Sequence, residues 1–515
     1  MAGAEGCPNC ARLEARVGKL EERVQKAEAE AADLRHENLR LRQENQKLQA
    51  RLERLEERLN RNSTNSSRPP SSDPPQIKQN RPPQPPTGRK PGGQPGHEGH
   101  TRELLPLEQV DELIELDPKR CGGCGRKFKR RDVRRSRRSR TLRGRARRHQ
   151  VTEIPEPQPH TTEWRMHAVE CADPECGAVT WAELPPEVPR GRFGPRVQAT
   201  VATLTGRYRS SRREAQVQIE ELHGVKMSLG EVGAIERNVS TALARPVKEA
   251  QQYAQTQPVA GSDESGWPQG KRAGKRRAWL WVMVTNVVTV FLILRHRSAE
   301  AARTLLGSFD GVLCTDRWWA YKGWPLRKRQ LCWAHLVRDF TEFTERSHKA
   351  SRQIGEALLE EARRMFAWWY RVRDGTLSRE SFQTYRVPLR RRVRRLLRKG
   401  ARCGHKLTAR TCRDILALEP ALWTFARVRG VEPTNNACER ALRPAVLWRK
   451  GCFGTRSAAG SRFVQRMLTV AATLKQQGRS LLDFLTLAVE LHQNGERAPS
   501  LLPDAYTFRQ LEATA

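Results

Sequence analysis

The stretch 258–323 decides the fold. It reads PVAGSDESGW (258–267), RRAWLWVMVTN (276–286), VVTVFLILRHRS (287–298), SAEAARTLLGSF (298–309) and GVLCTDRWWAYKG (311–323). β-Branched and aromatic residues fill the first, second, third and fifth pieces, and a short turn near Asn286 joins the second to the third. The fourth is helical in spacing. Three meandering strands, a helix and a further strand open a ribonuclease-H-like α/β fold, in which the first and fourth strands are neighbours. Asp263 and Asp316, each expected at the end of its strand, then stand side by side. RQLCWAHLVRDF (329–340) continues as a buried segment running into a helix.

A third acid stands apart. Glu439 lies in PTNNACERALRP (433–444), a helical stretch crowded with Arg that is expected to begin near Pro433 with Thr434 as N-cap. Arg443 at i+4 shares its face. Carboxylates so far apart in sequence, within a very basic chain, suggest a folded pocket for a divalent metal that works on phosphodiesters. Each has a competitor: Glu264 beside Asp263, Asp310 near Asp316, and Glu432 near Glu439. Asp310 precedes its strand and Glu432 precedes its helix.

Working outward, residues 341–430 are helical and basic, as in LRRRVRRLLRKGARCGHK (389–406), and read as an insertion between the sheet and the Glu439 helix. Residues 186–250 hold two amphipathic stretches broken at His223-Gly224, with Ser228 placed to cap the second. That order suits a helix-turn-helix, with plain helical packing as the competitor.

Residues 101–185 carry CGGC (121–124) and CADPEC (171–176). Cys121, Cys124, Cys171 and Cys176 are candidate ligands of a structural Zn2+, the second pair being the more widely spaced. Between the pairs, residues 126–148 hold fourteen Lys or Arg and one Asp. Arg130, Arg131, Arg134 and Arg135 are candidate phosphate contacts, although such a run can also be a solvated face. Cys7 and Cys10 have no sequence-near partner pair.

Residues 61–100, rich in Pro, Ser, Asn and Gly, read as a linker, partly polyproline II. GRKPGGQPG (88–96) within it could lie in a DNA minor groove or stay solvated. Before it, Leu13, Val17, Leu20, Val24, Ala27, Ala31, Leu34, Asn38, Leu41, Asn45, Leu48, Leu52, Leu55 and Leu59 alternate four and three apart. This is the seam of a coiled coil, with Asn38 and Asn45 at a positions that favour a parallel dimer; a single helix packed in cis is the alternative.

The net charge of +37 and pI of about 10.7 point to a polyanion, DNA or RNA. Residues 1–12 lack the apolar core of a secretory signal. Trp279–Leu294 is broken by Thr285, Asn286 and Thr289 and reads as strands, so no membrane partner is expected. Without a secretory signal, the 12 Cys are expected as thiols or zinc ligands.

The zipper ending in NSSRPPSSD (65–73), RKPGGQPGHEG (89–99), the Cys pairs, DESG, CTDRWWAY, LCWAHLVRDF, TNNACERALRP and RKGCFG together resemble a bacterial insertion-sequence transposase of the insertion-sequence-sixty-six family, the large zipper and zinc-finger type. The likeness spans nearly the whole chain and implies a DDE transposase, with Asp263, Asp316 and Glu439 as metal-binding triad. Mg2+ or Mn2+ would serve at that site and Zn2+ would be structural. The implied architecture is a multidomain α/β chain. It comprises a coiled coil (1–60), a linker (61–100), a zinc-binding basic module (101–185), a helical DNA-binding region (186–250), a ribonuclease-H-like catalytic domain (251–480, insertion about 341–430) and a helical tail (481–515). His335, Arg443, Arg449 and Lys450 would position phosphates. The partners implied are transposon ends and target DNA, a second copy of the chain, and small helper proteins of the same element, in the bacterial cytoplasm at the nucleoid. Two rivals remain: a DNA-binding regulator without catalysis, and a ribonuclease-H-fold nuclease that cuts without joining.

Overall fold

A computed structural model of the 515-residue chain describes residues 8–59, 62, 63, 65, 103–138, 147–185, 188, 191–270 and 277–503. Cys7, most of the expected linker over 61–100 and residues 139–146 of the basic run lie outside the described residues. The chain forms two compact units. The first takes in Met1–Asn80, Glu163–Glu220 and Lys226–Ala515, and the second Arg81–Thr162 and Glu221–Val225.

The first unit opens with helix α1 (Pro8–Leu59), 52 residues long, as the unbroken heptads require. Its seam leucines are exposed within the single chain, Leu13 by 58% and Leu52 by 59%. In the second unit, CGGC forms a tight turn in which the Cys121 N–H donates to Arg126 O and Gly125 adopts a left-handed φ of 70°. Helix α2 (Arg130–Arg138) follows, with Asp132 in its first turn and Arg137 paired to Asp117 and Glu115. Back in the first unit, β1 (Ala168–Glu170) and β2 (Val179–Trp181) make an antiparallel pair around CADPEC, where Gly177 has φ 53°.

Helices α3 (Pro195–Ala202), α4 (Arg212–His223), α5 (Leu229–Ala242) and α6 (Ala244–Thr256) come next. The expected cap is present: Ser228 Oγ accepts from the Glu231 N–H, and the Glu231 carboxylate accepts from the Ser228 N–H. Strands β3 (Val259–Pro268), β4 (Arg277–Val284) and β5 (Thr289–Leu294) then run as an antiparallel meander. Helix α7 (Ala299–Leu306), capped by Ser298, returns the chain to β6 (Val312–Thr315), parallel to β3 on its other side. Beyond it lies β7 (Arg329–Leu331), parallel to β6, giving a mixed five-stranded sheet in the order β5-β4-β3-β6-β7.

Helix α8 (Trp333–Thr344) leaves β7 directly, and the basic segment is helical as expected: α9 (Lys349–Arg373), α10 (Arg379–Gly400) and α11 (Lys406–Ala417). These helices share one apolar core with β6 and β7, built on Leu336, Phe340, Leu358, Trp369, Leu389 and Trp423. The chain closes with α12 (Asn436–Cys452), α13 (Ala458–Gln476) and α14 (Leu481–Gln493). Gln465, Thr469 and Thr473, one turn apart on α13, accept from the β5 N–H groups of Ile293, Phe291 and Thr289. The outer edge of the sheet is thereby covered by a helix. Among the described residues no helix is long and apolar enough to cross a membrane.

Candidate active site

Gly261 of β3 pairs with Cys314 of β6 in parallel register, and Asp263 and Asp316 each lie two residues further on. The two carboxylates therefore belong to matching positions on neighbouring strands, on one face of the sheet. Contrary to the expectation from sequence, Asp263 is not at a strand end: β3 runs on to Pro268, and Asp263 pairs with Val282 of β4. Trp267, buried against Trp448 of α12, extends the inward alternation past the acid and keeps the chain extended. Asp316 does follow its strand by one residue.

The two faces of β3 separate Asp263 from Glu264. Gly261, Asp263 and Ser265 face α12. A methyl group on Gly261 would stand 2.6 Å from Cys438 Sγ and 2.9 Å from Asn435 Oδ1, and Arg449 Nη1 of the same helix donates to Ser265 Oγ at 3.0 Å and to Gly266 O. On the opposite face Glu264 is fully enclosed. It accepts from Arg297 at 2.8 and 2.6 Å and from the Tyr321 hydroxyl at 2.8 Å, while Arg297 lies 3.6 Å over the Trp318 ring. The other competitors are engaged as well. Asp310 pairs with Lys328 at the surface, and Glu432 accepts from Trp369 Nε1.

Asp316 sits in a turn held from below by a residue the sequence did not single out. Arg329 is 1% exposed and spends its guanidinium on neutral acceptors: Thr315 Oγ1 at 3.2 Å, Tyr321 O at 3.1 Å and Asp316 O at 2.8 Å. Burial lowers its pKa to about 10. The Asp316 carboxylate accepts from the Trp318 N–H at 2.8 Å. An Arg opening an apolar strand was the available signal for this clamp.

Helix α12 brings the third acid. Its N-cap is Asn435 rather than Thr434, and the Asn435 amide is spent on tertiary contacts, which local sequence cannot reveal: Nδ2 donates to Ser262 O at 3.0 Å and the backbone N–H to Cys332 Sγ at 3.1 Å. Glu439, in the first turn of α12, is held by α8 and not by Arg443, which is exposed. Arg338 Nη2 donates to both Glu439 oxygens at 3.4 Å, and His335 Nε2 lies 3.7 Å from Oε1. Among the described residues His335 Nδ1 is buried without a hydrogen-bond partner, and Arg317 pairs with Asp339 at 2.7 Å beside it.

The electrostatics are those of a concentrated negative site. Burial, then the charges of Glu264, Asp316 and Glu439, drives the Asp263 carboxyl well above the usual carboxylate range. Burial lowers His335, against the opposing pull of Asp316 and Glu439. Three thiols, Cys314, Cys332 and Cys438, pack beneath; burial pushes Cys314 to about 12 and Cys332 to about 11, so they remain protonated and act as small apolar fillers. Hard carboxylate oxygens crowded together suit Mg2+ or Mn2+, whose charge relieves their repulsion. Among the described residues no three His, Cys, Asp or Glu close around one point, and Glu439 is directed to Arg338 and His335.

The other sequence-selected residues are dispersed. Arg130, Arg131, Arg134 and Arg135 are exposed on α2 in the second unit, and Lys450 is exposed near the end of α12. Cys121 and Cys124 fall in the second unit, Cys171 and Cys176 in the first.

The family described as "Transposase IS66 family" matches residues 190–462, just over half of the chain. A family of unknown function, DUF6444, matches residues 11–103. "Uncharacterized protein y4qI" of Sinorhizobium fredii (strain NBRC 101917 / NGR234) is 25% identical over 236 residues, 41% of this chain and 43% of that protein. The chain thus spans less than half the length of this relative.

Proposed function

Because the chain belongs to the transposase IS66 family, we propose that it is a DDE transposase with a ribonuclease-H-like catalytic domain, which binds the ends of an insertion sequence, cuts them and joins them to target DNA. The observation that carries this reading is the meeting of Asp263 and Asp316 on adjacent parallel strands under the helix that bears Glu439. A regulator has no use for crowded carboxylates; a nuclease would share them, and the joining of cut ends is what separates it from a transposase.

Asp263, Asp316 and Glu439 would hold divalent cations, which supply an activated water or 3′-hydroxyl and stabilise the leaving oxygen. The chain's own residues do the positioning. Arg329 fixes the Asp316 turn, Asn435 ties the start of α12 to β3, and the close approach at Gly261 sets the distance between strand and helix. Arg338 and His335 stand beside Glu439, where they can take a phosphodiester oxygen. The net charge of +37 supplies affinity for DNA, to which the exposed Arg of α2, Arg443 and Lys450 contribute. Arg449, with Nη1 on β3, serves more in placing α12.

The same reading assigns dimerisation to α1, whose uncovered leucines find a partner in a second copy. Cys121/Cys124 and Cys171/Cys176 each sit in a turn with a left-handed Gly, Gly125 and Gly177, and among the described residues the four thiols do not form one metal-holding group. Small helper proteins of the same element and a place at the bacterial nucleoid belong to the transposase reading too. The deciding experiment incubates the full chain with end-containing duplex, plasmid and Mg2+. Joined products support a transposase. Cutting without joining indicates a nuclease, and binding without either indicates a regulator.

A further inference from the structure

The inserted helices carry a second feature that bears on DNA. Helix α10 contains two kinds of arginine. Arg390 and Arg392 turn inward onto carboxylates: Arg390 grips Glu419 at 2.6 and 2.7 Å, and Arg392 meets both oxygens of Glu361 at 2.9 Å. Both acids are buried, so these two cations belong to the fold.

The remaining cations form a stripe. Arg391, Arg394, Arg395, Arg398, Lys399 and Arg402 are all exposed, and their spacing of three, one, three, one and three follows a single face of the helix and its C-terminal turn. None of the six has an ion pair or hydrogen bond to an acidic side chain among the described residues, and the only acid of α10 is Glu380, at its far end. A solvated helix face ordinarily mixes the two signs. Here Arg391/Arg395, Arg394/Arg398 and Arg395/Lys399 are like-charged i,i+4 pairs, which oppose helix formation unless a polyanion relieves them. Lys406, Arg410 and Arg413 add exposed positive charge along α11 at i, i+4 and i+7, where Asp414 is exposed as well. At the C-terminal end of the stripe, Arg398, Lys399 and Arg402 line a cleft of about 700 Å3 together with Ala350, Ile354 and Cys403. The face opposite the stripe is committed to the core through Leu389, Val393 and Leu397.

We propose that this stripe is a binding site for the sugar-phosphate backbone of duplex DNA, read without regard to base sequence. The proposal rests on the transposase reading above and adds to it a DNA contact that the catalytic acids do not make. From Arg391 to Lys399 the stripe runs about 12 Å at about 1.5 Å per residue, a length over which a duplex presents roughly seven charges. Guanidinium groups in such a row can each fork onto a phosphate.

The test compares the full chain with R391Q/R394Q/R395Q/R398Q and with the matching four-Lys variant, on a random-sequence duplex, by fluorescence anisotropy over 0.05–0.3 M NaCl as assay conditions. Loss of four phosphate contacts should flatten the slope of log K against log salt by about 3.6 and weaken binding at 0.15 M by at least about 10-fold. The Lys variant should keep most of the slope, because charge is retained. An unchanged slope in a Gln variant that melts as the parent does would overturn the proposal. Should the Gln variant misfold, the cleft variant R398Q/R402Q carries the same comparison, with a slope flattened by about 2 expected and an unchanged slope again overturning it. If the parent chain fails to bind duplex at any salt, the transposase reading falls first; if it binds and only the stripe variants are silent, that reading stands and the stripe is a solvated face.

Discussion

Gly261→Ala adds one methyl group at the point where β3 meets α12. The backbone accepts it, since Gly261 does not adopt a positive φ. The space does not: the new carbon would stand 2.6 Å from Cys438 Sγ, 2.9 Å from Asn435 Oδ1 and 3.8 Å from Cys314 O. Ordinary non-bonded contact is about 3.5–4.0 Å, so helix and strand must part by roughly 1 Å. Overpacking of this size costs about 1–3 kcal/mol, and a displacement of about 1 Å between reacting groups costs on the order of 100-fold in rate. Asn435 and Glu439 ride on the displaced helix, so cleavage of end-containing DNA in Mg2+ should fall by about two orders of magnitude, with a modest drop in melting temperature and unchanged DNA affinity. Gly266→Ala is the control. Its methyl would come no closer than 3.8 Å to Arg449 Nη1, and it should cleave normally. A folded Gly261→Ala chain that cleaves within about twofold of the parent would mean that the strand–helix distance does not govern cleavage, as would equal damage from Gly266→Ala.

Asp263→Asn should stabilise the metal-free protein. The native carboxyl titrates above its unfolded value of about 3.9, so its ionisation subtracts stability as pH rises past that value. In EDTA the variant should melt above the parent at pH 7–8, and the gap should close toward pH 4; a lower melting temperature at neutral pH would contradict this. Arg329→Met strands the carbonyls of Asp316 and Tyr321, at about 1–3 kcal/mol each less the relief of a buried charge, so a loss of about 1–4 kcal/mol and slower cleavage at unchanged DNA affinity are expected, measured by denaturant unfolding and single-turnover kinetics. A peptide spanning 8–59 should sediment as a dimer, and Asn38→Leu with Asn45→Leu should raise its melting temperature while loosening control of oligomer state. A helical monomer at tens of micromolar would oppose the α1 assignment.

The sheet was legible because its strands are runs of Val, Leu, Trp and Phe broken by turn residues, and because α7 sits between β5 and β6. Adjacency of Asp263 and Asp316 followed from strand order alone. What escaped was tertiary. The length of β3 depends on Trp267 finding Trp448, the N-cap of α12 on Asn435 finding Ser262, and the partner of Glu439 on α8 lying beside α12. Glu264 and Asp263 are neighbours in sequence with equal claims as carboxylates. Only the pleat, which sends one to Arg297 and the other toward α12, separates them. Arg329 and Arg338 looked like two more of 94 basic residues until their acceptors were in place.

If Asp263, Asp316 and Glu439 act as one metal-dependent set, each is indispensable to cleavage. The decisive measurement is Mg2+-dependent release of a 3′-hydroxyl end from end-containing duplex by Asp263→Asn, Asp316→Asn and Glu439→Gln, each beside a mobility shift. All three should bind DNA as the parent does and none should cleave detectably, because the cation needs ionised oxygens whereas affinity comes from Lys and Arg. Substantial cleavage by any one of them would contradict a shared metal-dependent set.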